Sequence, residues 1–189
     1  TLQEISHHTS STFHLGKLLQ VIAASSLKLT PARGARLFLL GEEGRELALA
    51  AQSGQGSGTR WMRQAVGDGV AGWVARERHP LLLNSPHAPS APSTDASARS
   101  LIAVPLLSEQ RLLGVLQVDS DQPGAFSEED QKLLMIYAGH CASLIRNLRL
   151  YDQVMTERNF RENILESSPN AIISLNLKEE ITSLNRRAE

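Results

Sequence analysis

The chain of 189 residues carries a single cysteine, Cys141. One thiol excludes an internal disulfide framework and any CxxC metal or redox site, and it fits a reducing compartment. An excess of either charge is also missing: 19 basic residues face 20 acidic ones, a formal net charge of -1. With no basic face, nucleic acid is not an expected partner. Long hydrophobic runs are absent as well. The longest, Leu101 to Leu107 and Leu37 to Leu40, fall far short of the ~20 residues that span a bilayer, so no direct membrane contact is expected. With no signal-peptide pattern and Thr1 as its first residue, the chain is expected to be an internal, soluble, cytoplasmic segment of something longer.

What is present is enough apolar material for a core, 41% of residues. Over 1–29, Ile5, His8, Thr12, Leu15, Leu19 and Ile22 fall at helical spacing, until Pro31 stops the helix. ARLFLL and RELALAAQ then read as two strands joined by Gly41-Glu42-Glu43-Gly44. WMRQAV reads as a helical turn and Pro80 to Leu83 as a short buried strand. Residues 84–99, with three prolines and no periodicity, read as a loop of a length that often forms a lid or a binding loop. SLIAVPLL and RLLGVLQVD form a second hairpin around Ser108-Glu109-Gln110.

Ser127 and Asp130 approximate a capping box for a last helix running to about Ser167. At 1.5 Å per residue that helix is roughly 60 Å long, more than one domain's diameter. Leu134, Tyr137, Cys141, Leu144, Leu148, Tyr151 and Met155 repeat on it at alternating spacings of three and four. Such a seam predicts a helical partner, and a homodimer is expected. Its first turns are expected to pack on the chain's own sheet as well, whereas the part past Leu148 has no domain left to cover it. Residues 171–185 begin again with strand, turn and strand.

Gly67, Gly69 and Gly72 spell G-x-G-x-x-G. A dinucleotide loop needs a strand directly before the first glycine and an acidic residue about 20 positions on. WMRQ is poor in β-branched residues, and the later position falls among Pro89 to Pro92. The glycines are therefore read as architectural: Gly67 and Gly69 turn the chain and Gly72 lets a helix approach the sheet. His7, His8, His14, His79, His87 and His140 include no pair at the i, i+4 spacing that shares a metal on one helix face. No metal site is expected.

The order of elements, and the stretches LQEISHHTSSTFHLGKLLQVI, GARLFLLGEEGRELALAAQSG, GDGVAGWVARERHPLLLNSP, SLIAVPLLSEQRLLGVLQVDS and FSEEDQKLLMIYAGHCASLI, resemble a GAF domain over about residues 5–150. NILESSPNAIISLNLKEEITSLNRRAE is similar to the opening of a PAS domain. The resemblance implies an α+β fold: an antiparallel sheet with its first and exit helices on one face, a ligand pocket on the other, and a long carboxy-terminal signalling helix. It divides the chain into a GAF sensor domain at 1–150, a linker helix at 151–167 and the truncated start of a PAS domain at 168–189. GAF joined to PAS resembles the sensory part of bacterial signalling proteins, most often histidine kinases.

No histidine here begins the His-Glu/Asp-x-Arg pattern of a phosphoacceptor, so kinase chemistry is expected outside this segment. Relatives that reduce methionine sulfoxide use several cysteines, and those that attach bilins use one near the pocket; neither set is present. The cyclic-nucleotide pattern is half met, by Phe126 and Asp130, with Val118-Asp119-Ser120 where Asn-Lys is required. By the resemblance the pocket is lined by Trp73, Asn84, His87, Asp95, Arg99, Ser100 and Gln117. Arg99 either pairs an anionic ligand or holds Asp95, and Trp73 either stacks on a planar ligand or packs in the core. The expected function is a regulatory sensory module, itself not an enzyme, that couples an unidentified small molecule through a dimeric helix to downstream PAS and output domains. A ligand-free dimerising spacer and a nucleotide-dependent enzyme are the alternatives, and the sequence leaves any cofactor unknown.

Overall fold

A computed structural model describes residues 2–54, 63–84, 98–176 and 178–188. Contacts divide the chain into two units, Thr1–Asn147 and Leu148–Glu189. The first runs α1 (Leu2–Leu29), β1 (Gly34–Leu40), β2 (Glu46–Gly54), β3 (Arg63–Ala65), α2 (Gly69–Glu77), β4 (Leu81–Leu83), β5 (Ser100–Ser108), β6 (Arg111–Ser120) and the start of α3 (Glu128–Ser167). Its strands form one six-stranded sheet in the order β3-β2-β1-β6-β5-β4, with every neighbouring pair antiparallel.

Local chemistry explains the element ends. Pro31 lies two residues beyond α1, where a missing N–H and a fixed φ stop a helix. The β5–β6 connection is a two-residue turn in which Glu109 and Gln110 both have positive φ, 47° and 67°. That twist matches antiparallel strands, although side chains make it less comfortable than glycine would. At the start of α3 the capping box is complete. The Ser127 N–H donates to Asp130 Oδ2 at 2.8 Å, and the Asp130 N–H donates back to Ser127 Oγ at 3.2 Å.

Alternation along the strands makes two different faces. Ala35, Leu37, Ile102, Val104, Leu106, Leu116 and Val118 pack with Leu19, Ile22 and Ala23 of α1 and with Leu134, Ala138, Cys141, Ala142 and Ile145 of α3. Phe38, Leu101, Ala103 and Val115 belong to the other face, where α2 supplies Val70, Ala71, Val74 and Ala75. Each fully buried aliphatic side chain contributes about 1.5–3 kcal/mol. This is the expected α+β arrangement, with the amino-terminal and exit helices on the same face.

Arg63–Ala65 differs from the expected helical turn. It is the edge strand β3, with Ala65 opposite Glu46 and Arg63 opposite Ala48. Three residues carry no periodicity of their own, so the open edge of β2 decides their conformation. Leu81–Leu83 forms the opposite edge and is half-buried rather than buried.

The glycine stretch turns and packs. Gly67 takes φ 102°, in the left-handed region, and a Cβ on Gly72 would lie 2.4 Å from the Ala65 carbonyl oxygen. The second unit holds the remainder of α3 and a hairpin of β7 (Ile173–Leu175) and β8 (Ile181–Leu184). Asn185 clamps it: its Nδ2 donates to the Leu165 and Asn170 carbonyls, both at 2.9 Å, and its Oδ1 accepts from the Ile172 N–H at 2.8 Å.

Candidate functional site

On the face that carries α2, the sheet interrupts its own apolar pattern. Arg36 of β1 lies opposite Gln117 of β6, and Asp119 follows Gln117 two residues on, so all three share this face. Each is about 6% exposed. The Arg36 Nη2 donates to Asp119 Oδ1 at 2.9 Å, a buried ion pair. A buried pair of this kind holds only while both partners are present, since either charge alone is expensive in a low dielectric. Gln117 differs from them: no described residue hydrogen-bonds its carboxamide. Every described side-chain N or O that is sealed from solvent has a partner. The Gln117 amide therefore still reaches open space, with Leu101, Ala103, Phe38 and Val115 on the same face.

The residues expected to line the pocket divide. Gln117 lies on the α2 face of β6, and Trp73 is half-buried on α2 against that face's apolar cluster. Asn84 and Ser100 lie on the other side. Asn84 follows β4 in phase with Leu82, which packs on the α1–α3 side, and its Nδ2 donates to the Phe126 carbonyl at 2.9 Å. Ser100 shares its face with Ile102, and its hydroxyl donates to the Gln122 carbonyl at 2.6 Å. Both tie strand ends to the segment that leads into α3. Arg99 is exposed, and its N–H donates to the Ser120 carbonyl at 2.8 Å. His87 and Asp95, and with Asp95 the proposed Arg99 pairing, lie outside the described residues.

Sequence reasoning passed over Arg36 and considered Asp119 only as a departure from a nucleotide motif. A signal for Arg36 existed: a lone charge in GARLFLL, two residues from Phe38 and so on its face. The partnership with Asp119 needed the β1–β6 register.

The seam residues also divide. Leu134 and Cys141 are buried in the chain's own core, and the Tyr137 hydroxyl donates to the Ile22 carbonyl of α1 at 3.1 Å. These three are committed to α1 and the sheet. On the same helix Leu144 is 53% exposed and Tyr151 59%; Met155 is exposed and Leu148 half-buried. The buried stripe follows Leu134, Ala138, Cys141 and Ile145, taking positions 138 and 145 where the expected seam has 137 and 144. Burial pushes Tyr137 up to about 12, with its contact to Cys141 adding to the shift, and burial raises the Cys141 thiol as well.

Among the described residues, no group of three His, Cys, Asp or Glu side chains is placed to hold a metal, and no helix is long and apolar enough to cross a membrane.

The family profile described as "GAF domain" matches residues 14–146. A probable 3',5'-cyclic phosphodiesterase pde-5 of Caenorhabditis elegans is 23% identical over 134 residues, which are 67% of this chain and 18% of that protein. The chain therefore spans under a fifth of that relative. The GAF domain of a phosphoenolpyruvate-protein phosphotransferase from Coxiella burnetii superposes with TM-score 0.64 at 23% identity, covering 72% of this chain and 85% of the other. Free methionine-R-sulfoxide reductase from Neisseria meningitidis, in complex with its substrate, gives TM-score 0.64 at 25% identity, covering 72% and 81%. That neighbour overturns the expectation that the segment is not an enzyme. The same fold hosts a reductase, so the fold does not exclude catalysis.

Proposed function

The chain belongs to the GAF domain family, and from that premise we propose that it is the regulatory sensory module of a bacterial signal-transduction protein of the sensor histidine kinase type, working in the cytoplasm. A small molecule binds on the α2 face, and α3 carries the change to a following PAS and output region. The observation that carries this reading is the contrast within the sheet: one face is sealed by α1 and α3, and the other holds Arg36, Gln117 and Asp119. Strands that line the ligand face also pack α3 through their alternate residues, so a ligand that shifts the sheet shifts the helix.

Two further observations support the reading. Leu144, Tyr151 and Met155 are apolar and exposed on α3, which suits a second copy of the chain and makes the module a homodimer. Ile173, Leu175, Ile181 and Leu184 of the β7–β8 hairpin are exposed as well. Two strands alone are marginal in water, which suits the opening of a PAS domain.

Sedimentation equilibrium tests the dimeric part. The wild-type chain is expected to sediment as a dimer and Leu144→Glu with Tyr151→Glu as a folded monomer. A wild-type monomer at high protein concentration overturns it.

A further inference from the structure

Side chains from helices on opposite faces of the sheet meet at one turn. The tip between β5 and β6 is Glu109-Gln110, closed by Ser108 opposite Arg111. Both tip residues have φ in the left-handed region. A two-residue hairpin turn requires that conformation, and asparagine and glycine take it far more readily than glutamate or glutamine. A wider, relaxed loop is therefore a close competitor, and small contacts are enough to decide between the two forms.

An arginine holds each side of the tip. Arg146 of α3 pairs with the Glu109 carboxylate, and its Nη1 also donates to Ser108 Oγ at 3.5 Å. Arg78, the left-handed residue that ends α2, donates from Nη1 to the Gln110 carbonyl at 3.3 Å. The Arg78 N–H closes the last turn of α2 on the Val74 carbonyl at 2.9 Å. Exposed contacts of this kind add little to global stability. Their importance lies in their position. α2 packs on one face of the sheet and α3 on the other, yet groups from both reach this dipeptide. Arg146 is also the last residue but one of the first compact unit, where α3 leaves it.

Resting on the reading of the chain as a sensory module, we propose that the Glu109-Gln110 tip is a conformational relay between α2 and the exit helix. The tight form of the turn binds both arginines at once, so each stabilises the geometry that the other needs. Movement that draws the end of α2 away releases the turn, and α3 then loses its tie at Arg146. The coupling is reciprocal, because both arginines bias one equilibrium. Arg78 and Arg146 are positioning residues in this device.

The experiment is amide hydrogen exchange, read residue by residue in the whole ligand-free chain. Arg146→Gln is expected to speed exchange at least threefold in the last turn of α2, residues 75–78, as well as at the tip. The central strands are expected to keep their wild-type rates. Gln110→Gly keeps the ion pair and the carbonyl but lets the turn form without strain. In that background Arg146→Gln is expected to leave α2 unchanged.

A response confined to the tip makes the Arg146 contact local and overturns the relay. Faster exchange throughout the sheet marks general destabilisation and also overturns it. A threefold response of α2 that persists with Gln110→Gly means that the effect travels by another route, and the tip is again excluded. All three outcomes leave the sensory reading standing, since its own failure is a wild-type monomer in sedimentation.

Discussion

The two faces of the six-stranded sheet come from alternate residues of the same strands, yet they are composed differently. The face under α1 and α3 is continuous aliphatic packing, with Leu37, Ile102, Val104, Leu116, Leu134 and Ile145 all essentially inaccessible. The face under α2 mixes Phe38, Leu101 and Val115 with an ion pair and an amide that no described residue hydrogen-bonds. Apolar burial is non-directional and tolerates small rearrangement. Buried polar groups hold only in one geometry and are costly when it is lost. The first face is therefore suited to stability and to gripping the exit helix, and the second to discrimination.

The sharpest way to break the contrast is to remove half of the ion pair. Asp119→Ala takes away the carboxylate that the buried Arg36 guanidinium holds at 2.9 Å, and a loss of about 3 kcal/mol is expected in denaturant unfolding. Asp119→Asn is expected to fall short of that. If Asp119→Ala unfolds at the wild-type midpoint, the pair is not part of the buried floor.

Truncation on the aliphatic face comes next. Leu134→Ala is expected to lower stability by about 3 kcal/mol through lost transfer energy and a cavity. Leu144→Ala, ten residues along the same helix, is expected to leave unfolding of the monomeric chain nearly unmoved, because that side chain is largely exposed. Equal losses at the two positions would show that the helix is covered on both sides.

The smallest effect concerns the tyrosine at the border of the aliphatic face. Tyr137→Phe removes the hydroxyl bond to the Ile22 carbonyl, a loss of about 1 kcal/mol near neutral pH. The phenol ionises near pH 10 in the unfolded chain and at about 12 when folded. Between those values the folded state holds the extra proton, so stability is full below pH 10 and declines as pH rises towards 12. Urea midpoints measured across that range are expected to fall less steeply in Tyr137→Phe than in the wild type.

Much of this was legible without coordinates. The apolar alternation of GARLFLL and RLLGVLQVD, the Pro31 stop and the Ser127–Asp130 box locate β1, β6, the end of α1 and the start of α3 within a few residues. Gln117 was named from the family resemblance, and the structure puts it on the α2 face of β6. The bonding of Asn84 and Ser100 was not legible. They sit next to the long loop in the chain, but strand phase turns both toward α3, where the carbonyls of Phe126 and Gln122 claim them. Arg63–Ala65 was misread because its conformation comes from a neighbour's free edge rather than from its own residues.

What the sequence determined by itself is the order, type and phase of the elements, since helix and strand periodicity and their stop signals are local properties of the chain. Only the tertiary structure decided which polar residues meet. Arg36 and Asp119 lie 83 positions apart and become a pair solely through the β1–β6 register. The tertiary structure also decided which half of a single apolar repeat on α3 is buried in its own domain. Both outcomes depend on long-range pairing and packing, for which no short window of sequence carries the information.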